Sequence, residues 1–482
     1  MMQDNRIQND DPKSVTEWPR YFLYAVGVLF GALYLLYALI AIATTPKQFP
    51  FLGTHVGFFI SDKTAAIILF FALFLIYAVF FMFIVSLGQI KQKFKFVILM
   101  TVLFVAFLII APPFLSADLY GYIFRAEIVT VHHVNPYHSA PADLGYGNIM
   151  PSSHMQMTYG PLYTVISMVL QRLSGPLLFV NMLVFRLFNV FLFAGCALLI
   201  YRIVKFTAPR FTYAATALFL WNPFILIEVV NNGHNDIMML ACILASVYAV
   251  IRKKFVLAGI FLGLGMLIKF MTVLLFPILF ILILKQKSTV RSKIMKIIII
   301  VVFVSFIGAV LYIPFDTFVS NVTNLNRAYF ESNKLTFPKA FVSTAAYYFS
   351  EVFNREQLNQ NGLQILYLIT FFIGYVILLL LPRVSRGDNF IKRYFWVLLL
   401  ALCFIGNVYN IWYTIWMFPL VLLVADARYR LLVLFFTLSG FTFYVDNNLF
   451  ANTLLIMLLL LYYSYLKGAE YFRRKFNEWP RI

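Results

Sequence analysis

Residues 255–284 read FVLAGIFLGLGMLIKFMTVLLFPILFILIL, a run in which Lys269 is the only charged side chain. Basic residues flank the run on both sides, with Arg252 to Lys254 before it and Lys285 directly after it. A transmembrane helix needs about 20 apolar residues, and basic flanks are held on the cytoplasmic side of a membrane. One long helix would put one basic flank outside. The run therefore predicts a hairpin of two short membrane helices with Lys269 at its tip.

The composition of the whole chain indicates the same environment. Of its 482 residues, 62% are hydrophobic and only 12% are charged, and the mean hydropathy is +0.86. A soluble protein of this length needs more charge to cover its surface. We predict an all-α fold, a polytopic transmembrane helical bundle of about 14 spans. The expected spans are residues 21–43, 64–87, 96–115, 177–203, 212–230, 237–251, 255–268, 271–284, 294–314, 363–382, 394–409, 411–425, 430–446 and 449–466.

The formal charge of +19 is unevenly distributed along the chain. Most of the 38 Lys and Arg residues fall in the two tails and in alternate short loops between the expected spans. Since basic segments mark the cytoplasmic side, this charge predicts the orientation, and it favours contact with anionic membrane lipids; no nucleic acid partner is expected. We predict a cytoplasmic tail over 1–20, a single transmembrane domain over 21–466 and a basic cytoplasmic tail over 467–482, in a multi-pass protein of the plasma membrane.

Two long polar loops, residues 116–160 and 315–362, are predicted on the extracytoplasmic side. All six histidines of the chain lie in predicted outer loops, and they are His55, His132, His133, His138, His154 and His234. Histidine is the side chain best suited to bind phosphate or transfer protons near neutral pH. The distribution therefore predicts that any active site faces outward.

The first long loop begins with Asp118-Leu-Tyr-Gly-Tyr-Ile-Phe-Arg-Ala-Glu127. Its apolar residues recur at helical spacing, which predicts a short interfacial helix over 117–130 with Asp118, Tyr122 and Arg125 on one stripe. A second interfacial helix or a re-entrant helix is expected over 161–173. Asp118 is a candidate general base, because partial burial at the membrane rim would raise the pKa of its carboxyl. The alternative is a plain helix cap, since Asp commonly begins helices.

A dense polar cluster, Asn231-Asn232-Gly233-His234-Asn235-Asp236, separates two expected spans. A minimal polar turn would explain the Asn and Gly residues but requires neither His234 nor Asp236. Ionisable groups near membrane depth are costly and are often functional. We interpret the cluster as part of a site, and not as a metal centre, because the spacing of its ligands is too tight.

The other candidates each have two interpretations. Lys269 could neutralise a phosphate or extend its amine to the membrane surface. Trp412 and Tyr413 could stack on a sugar or belong to the aromatic belt of the membrane interface. Further turn-like or basic candidates lie in the outer loops; these are Asn135-Pro136-Tyr137, Tyr159-Gly160-Pro161, Arg327 and Lys339. No nucleotide-binding loop or zinc-protease motif is present.

In chain order, these motifs resemble those of the GT-C class of integral membrane glycosyltransferases, and most of all the bacterial polyprenyl-phosphate-mannose-dependent mannosyltransferases. The resemblance covers about residues 96–425. It is carried by Asp118-Leu-Tyr-Gly-Tyr122, Asn135-Pro-Tyr137, Tyr159-Gly-Pro-Leu162, Gly233-His-Asn-Asp236, Gly263-Leu-Gly-Met-Leu-Ile-Lys269 and Trp412-Tyr413.

The resemblance implies a sugar donor linked to polyprenyl phosphate, used on the extracytoplasmic face with inversion, and a catalytic carboxylate that corresponds to Asp118. Two expected spans precede the family pattern, so residues 21–87 read as an N-terminal extension. We expect the donor phosphate to contact Tyr122, Arg125, His234, Asp236, Lys269 and Arg327. We expect contacts with the rest of the substrate from Asn135, Tyr137, Tyr159, Trp412 and Tyr413.

The sequence thus predicts a membrane hexosyltransferase that moves a hexose, expected to be mannose, to a cell-envelope glycan or lipid. No cofactor is expected, and no metal, because cations can neutralise a departing phosphate. The alternative is a multi-span transporter or flippase for lipids or sugars. A transporter would place ionisable residues at the midplane of several helices, whereas the polar residues here gather on one side.

Overall fold

The computed structural model describes residues 18–44, 63–87, 90–113, 115–146, 153–315, 320, 323–324, 360–382, 384, 387–405 and 410–445. Every regular element in this part of the chain is helical, which confirms the predicted all-α bundle. The expected span 449–466, the tail 467–482 and most of the loop 315–362 lie outside the described residues.

The main helices follow the apolar runs closely. They are α1 (Trp18–Thr44), α2 (Lys63–Leu87), α3 (Phe94–Ile110), α4 (Asp118–Thr130), α5 (Pro161–Ser174), α6 (Leu178–Thr207), α7 (Thr212–Leu220), α8 (Asp236–Ile251), α9 (Phe255–Met266), α10 (Phe276–Leu284), α11 (Val290–Tyr312), α12 (Gln360–Leu380), α13 (Asn389–Phe404) and α14 (Leu432–Val445).

Within the described residues, five helical segments are long and apolar enough to cross a membrane. They are Tyr21–Ala43, Ile68–Val85, Lys91–Ile110, Leu178–Thr207 and Val290–Phe315. A sixth candidate is a broken span, Pro209–Leu220 with Pro223–Asn231, bent by 43°. The sequence predicted one continuous helix over 212–230. The helix breaks because Pro223 has no N–H to donate, while the Asn222 side chain caps the next turn by accepting from Ile225 N.

The predicted hairpin over 255–284 is confirmed as two helical segments that pack on each other. Helix α9 ends at Met266, and a 3-10 turn over Phe270–Leu275 leads into α10. Two glycines of α9 allow α11 to approach closely. A Cβ at Gly263 would lie 2.2 Å from Val304, and one at Gly259 would lie 2.5 Å from Ile300.

The region predicted as a helical span over 411–425 has a different structure. It consists of two 3-10 helices, Ile411–Trp416 and Phe418–Leu423, separated at Met417. Pro419 lacks an N–H and interrupts the helical hydrogen bonding. Nearly all of these residues are buried within the protein, so they fill its interior instead of facing lipid.

An aromatic cluster around Trp221, at the end of α7, joins the N-terminal helices to the rest of the bundle. Its indole N–H donates to the Val97 carbonyl of α3 at 3.1 Å. Its ring centroid lies 4.7 Å from Phe80 of α2, 5.6 Å from Phe104 of α3 and 5.9 Å from Phe30 of α1. Such ring contacts add to the burial of large apolar surfaces, so α1 and α2 are integral to the bundle.

Candidate active site

The site is built around residues 226–236, all of which are buried. A π-helix, Leu226–Asn231, precedes a tight turn that ends at the start of α8. Gly233 adopts φ +73°, which favours glycine, and a Cβ there would lie 2.9 Å from Leu119 of α4. The turn therefore packs directly against the helix that carries Asp118.

The two asparagines of this turn fix its position. The Asn231 amide donates to three carbonyls at the end of α3 and accepts from the Tyr37 hydroxyl of α1 at 2.8 Å. Asn232 accepts from Leu115 N at 3.3 Å and donates to Glu228 at 3.1 Å. These two asparagines therefore have the structural role expected of residues in a polar turn. Their hydrogen bonds connect α1, α3 and the π-helix.

His234 lies between two carboxylates, and we call Asp118, His234 and Glu228 the histidine cluster. Its Nδ1 is 2.9 Å from Glu228 Oε2 and its Nε2 is 3.6 Å from Asp118 Oδ2. The Ser116 hydroxyl is 3.2 Å from the same Nε2. His234 and Glu228 are fully buried, whereas 30% of the Asp118 side chain is accessible. A protonated imidazole donates from both nitrogens, which suits both carboxylates.

Asp118 is the first residue of α4, but it does not cap that helix. The capping residue is Ala117, whose side chain makes no capping hydrogen bond, and the N–H of Asp118 donates to the Ser116 hydroxyl at 3.2 Å. The carboxylate is directed at His234 instead, so the simple capping interpretation is wrong. Helix α4 is also buried from Leu119 to Ala126, so it packs beneath other parts of the protein and does not lie bare on a membrane surface.

The charges of the histidine cluster change the pKa of Asp118 in the direction opposite to the one expected from the sequence. Burial alone would raise the pKa of Asp118, as the sequence predicted, but the hydrogen bond and charge of His234, with the charges of Arg125 and Lys269, lower the pKa below its ordinary value. Burial would lower the pKa of His234, yet its bonds to Asp118 and Glu228 raise it to about 10. At neutral pH the cluster is an imidazolium between two carboxylates.

A second ionic group surrounds Lys269. Its Nζ is 2.7 Å from Asp236 Oδ1 and 5.3 Å from the ring centroids of Tyr159, Tyr413 and Trp416. We call these five residues the lysine cluster. The Trp416 indole N–H also donates to Asp236 Oδ1. Only 5% of the lysine side chain is exposed, so it does not extend to the membrane surface.

The motif Tyr159-Gly160-Pro161 binds the tip of the hairpin. Gly160 N donates to the Ile268 carbonyl, and Leu162 N donates to the Leu267 carbonyl, both at 3.0 Å. A Cβ at Gly160 would lie 2.2 Å from the Leu267 carbonyl oxygen. Only glycine permits this approach, which brings the Tyr159 ring over Lys269.

Tyr122 and Arg125, one and two turns after Asp118, lie beside the two clusters. The Tyr122 ring centroid is 5.6 Å from that of Tyr159. The guanidinium of Arg125 donates to the carbonyls of Met155 and Gly121, which anchors the outer loop to α4. Its charge also acts on Asp118. A contact of either side chain with the donor phosphate stays a prediction.

The remaining predicted residues divide between scaffold and site. Asn135 stabilises a turn of the backbone, because its amide donates to Phe315 O and its Oδ1 accepts from Tyr137 N. The Tyr137 hydroxyl bonds Thr164 Oγ1 of α5 at 2.8 Å. Trp412, by contrast, stacks on His234 with a centroid distance of 4.2 Å.

Tyr413 of the lysine cluster stacks on Trp416 at 4.7 Å. It and Trp412 therefore face the site and do not form part of a lipid-facing belt. Arg327 and Lys339 lie outside the described residues.

Sequence analysis missed three residues of the site. Glu228 is an acid within an otherwise apolar expected span, which was a usable signal. Trp416 is one of several aromatic residues in an apolar run, and Ser116 is a common helix-end residue, so neither had a distinguishing pattern. In the described ranges, no group of three or more His, Cys, Asp or Glu side chains could hold a metal ion. The expected metal independence stays a prediction.

Comparisons with known proteins agree with this arrangement. Residues 25–285 match the family described as alpha-(1->6)-mannopyranosyltransferase, N-terminal domain, and residues 157–461 match glycosyltransferase family 87. An alpha-(1->6)-mannopyranosyltransferase of Mycobacterium tuberculosis is 29% identical over 154 residues, which cover 30% of this chain and 25% of that relative. The chain thus aligns with about a quarter of the length of the curated relative.

The first match also corrects the boundary expected at the N-terminus. It begins at residue 25, so the helices within 21–87 belong to the matched region and are not an extension preceding it. The hydrogen bond from Tyr37 to Asn231 shows why, since α1 helps to hold the turn that carries His234. Each family match covers more than half of the chain. The chain therefore belongs to the family described as alpha-(1->6)-mannopyranosyltransferase, N-terminal domain, and to glycosyltransferase family 87, within the GT-C class.

Proposed function

We propose that this protein transfers a hexose, mannose by its family, from a polyprenyl-phosphate donor to a hydroxyl of a cell-envelope glycan or lipid. In the proposed step, the acceptor oxygen attacks the anomeric carbon from the side opposite the phosphate. The bond from that carbon to the phosphate oxygen breaks, and its electron pair leaves with the polyprenyl phosphate. The acceptor proton goes to Asp118, and the configuration at the anomeric carbon inverts.

The observation that carries this proposal is the accessible carboxylate of Asp118 beside the buried pair of His234 and Glu228. Because the pKa of Asp118 is lowered, its carboxylate is ionised throughout the neutral range and is available as a proton acceptor, although the lower pKa makes it a weaker base. A carboxylate positioned in this way contributes general-base catalysis of about 10²–10⁴-fold. Glu228 holds the imidazole at Nδ1, so the imidazole can hold Asp118 at Nε2.

The leaving phosphate needs positive charge nearby. The charges of His234, Arg125 and Lys269 all act on Asp118, and the imidazolium of His234 and the ammonium of Lys269 belong to the two clusters. A lipid phosphate is already an activated leaving group, which agrees with the lack of a nucleotide-binding motif in the sequence. We propose that these cations hold the phosphate as the bond to the sugar breaks. Arg327 in the second long outer loop stays a further candidate for this role.

We further propose that the reaction occurs on the extracytoplasmic face of the plasma membrane, with both termini in the cytoplasm. The distribution of basic residues along the sequence supports this orientation. The transporter alternative is less well supported, because the buried ionic groups form one compact site around residues 226–236 and Lys269. Transport chemistry usually divides its polar groups between paired repeats.

The decisive experiment is the Asp118→Asn variant, assayed in liposomes with a polyprenyl-phosphate mannose donor. We expect the transfer rate to fall by about 10²–10⁴-fold because the proton acceptor is removed, while folding and donor binding persist. The measurement is the rate of release of polyprenyl phosphate.

Glu127→Gln is the matched control, because Glu127 is another acid of α4 and bonds Tyr146 away from the two clusters. It should retain the wild-type rate. An Asp118→Asn variant as active as the wild type would disprove the role of Asp118. Movement of lipid or sugar by the wild type without any glycosylated product would favour the transporter.

A further inference from the structure

Four buried side chains, Asp236 of the lysine cluster and three beside it, carry polar atoms with no hydrogen-bond partner within the described part of the chain. The atoms are the hydroxyls of Tyr122 and Tyr163, both polar atoms of the Asn235 amide, and Oδ2 of Asp236. Buried polar groups are nearly always paired in native proteins, and leaving one unpaired costs free energy. Five such atoms in one place therefore indicate a surface built to bind a polar ligand.

These atoms belong to side chains that lie close together. The rings of Tyr122 and Tyr163 lie 5.7 Å apart, and both hydroxyls are close enough to Asp118 and Asp236 to experience the charges of those carboxylates. The Tyr163 hydroxyl lies close enough to the Asn235 side chain to interact with it, but neither group has a hydrogen-bond partner of normal geometry in the described part of the chain. This contact therefore leaves hydrogen-bonding capacity on both groups.

The chemistry of the set selects hydroxyl groups over phosphate. Oδ2 of Asp236 and Oδ1 of Asn235 can only accept hydrogen bonds, the amide nitrogen of Asn235 can only donate, and the phenols do both. A phosphate would place its oxygens against two acceptors, one of them charged. Hydroxyl groups donate and accept, so they fit all five atoms. The aromatic rings of Tyr159 and Trp416 nearby offer apolar faces for the carbons of a sugar ring.

We propose that Tyr122, Tyr163, Asn235 and Asp236 form a subsite for the ring hydroxyls of a hexopyranose. This inference rests on the proposed function and deepens it, because it separates recognition of the sugar from recognition of the phosphate. Asn235 directly follows His234, and Tyr122 lies four residues after Asp118, on the same face of α4. A sugar held here lies next to the accessible carboxylate. It belongs either to the donor or to the acceptor.

The test is removal of one unpaired hydroxyl by the isosteric change Tyr163→Phe. If nothing ever pairs with this hydroxyl, its removal costs nothing. If a sugar pairs with it, affinity falls. Purified protein is titrated with three probes, namely a short-chain polyprenyl-phosphate mannose, the same polyprenyl phosphate without sugar, and an alkyl mannoside. We expect affinity for one mannose-bearing probe to fall by roughly three- to tenfold, with no change for the bare polyprenyl phosphate.

Tyr34→Phe is the matched control, because the Tyr34 hydroxyl is also buried and unpaired among the described residues, but it lies between α1 and α3 against Phe104. It should leave all three affinities unchanged. Asn235→Ala removes two of the five atoms, so it should reduce the same affinity by more than Tyr163→Phe does. A lower affinity for the lipid-linked sugar assigns the subsite to the donor, and a lower affinity for the alkyl mannoside assigns it to the acceptor.

Several outcomes would overturn the subsite. In the first, Tyr163→Phe binds both mannose-bearing probes with wild-type affinity, which is the result expected if only water pairs with these atoms. In the second, the affinity for the bare polyprenyl phosphate falls as much as the affinity for the mannose-bearing probes. A wild-type protein that binds neither mannose-bearing probe more tightly than bare lipid would also overturn it. Failure of the proposed function differs from these, since the wild type would then bind sugar through these residues without any transfer.

Discussion

The histidine cluster and the lysine cluster lie at opposite ends of the same buried segment, residues 228–236, and they differ in charge and access. The histidine cluster places one cation between two carboxylates, of which Asp118 is accessible. The lysine cluster pairs one cation with one carboxylate and encloses them with three aromatic rings. The first therefore carries an excess negative charge and an accessible carboxylate, while the second is neutral and largely buried.

From this difference we infer that the histidine cluster exchanges protons, whereas the lysine cluster maintains the geometry of the site in addition to supplying positive charge. An accessible carboxylate with a fixed imidazolium behind it can take a proton from a substrate and remain positioned. A buried lysine bonded to Asp236 and covered by rings has little freedom, because unpaired charge in that place would be costly. The lysine cluster also binds the hairpin tip to the Tyr159 motif, so its loss should disturb folding as well as chemistry.

The largest effect should follow from Lys269→Met. This change leaves the Asp236 carboxylate buried without its cation, and breaking a buried pair costs about 3–5 kcal/mol. The free energy of unfolding in detergent, measured by denaturant titration, should fall accordingly. The double variant Lys269→Met with Asp236→Asn should recover part of the loss, because no unpaired charge remains.

Lys392→Met is the control for that comparison. Lys392 pairs with Asp388 at 3.7 Å but is partly exposed, so its removal should cost no more than about 1 kcal/mol. If Lys269→Met unfolds at the same denaturant concentration as Lys392→Met, the lysine cluster has no special structural role.

A smaller effect should follow from Glu228→Gln, and it concerns pH. The folded pKa of His234 is raised from its ordinary value of about 6.5 to about 10. The imidazolium therefore persists through the neutral range and is lost as pH rises through about 10. Removing the Glu228 charge should move the alkaline decline of the transfer rate down by about 1–3 pH units.

The measurement is the rate of transfer as a function of pH, with Glu127→Gln as the control. Because the pKa of Asp118 is lowered, the acidic decline should lie below its ordinary value of about 3.9 in every variant with an intact His234 pairing. An alkaline decline that is identical in Glu228→Gln and wild type would show that Glu228 does not set the charge of His234.

The smallest effect should come from Trp412→Leu. The indole stacks on His234 at 4.2 Å, and an aromatic ring stabilises a cation by about 0.5–2 kcal/mol. The alkaline decline should therefore shift in the same direction as in Glu228→Gln, but by less. Trp412→Phe retains an aromatic face and should fall between Trp412→Leu and wild type. A larger shift in Trp412→Leu than in Glu228→Gln would mean that stacking, and not the carboxylate, controls His234.

Much of the site could be predicted because its polar residues interrupt apolar runs. Asp118 and Lys269 stand out against hydrophobic neighbours, His234 and Asp236 fall in a short polar cluster between two apolar runs, and the structure brings all four close together. The sign of the pKa shift at Asp118 could not be predicted. The sequence indicated that Asp118 is partly buried, which raises its pKa. The effect of burial is outweighed by the cations of His234 and Lys269, which lie far from Asp118 along the chain. The broken helix at Pro223 was also missed, although the proline was present.

By itself, the sequence determined the helical class, nearly all helix positions in the described chain, and which polar residues were candidates for the site. These follow from hydropathy and periodicity, which are local properties of a chain in an apolar environment. Only the tertiary structure decided that Glu228 fixes His234, that Trp416 and Tyr159 enclose Lys269, and that Asn135 serves the scaffold. Those contacts join residues distant in the chain, and they depend on how helices pack around close approaches such as Gly160 against Leu267. No local pattern records such distances.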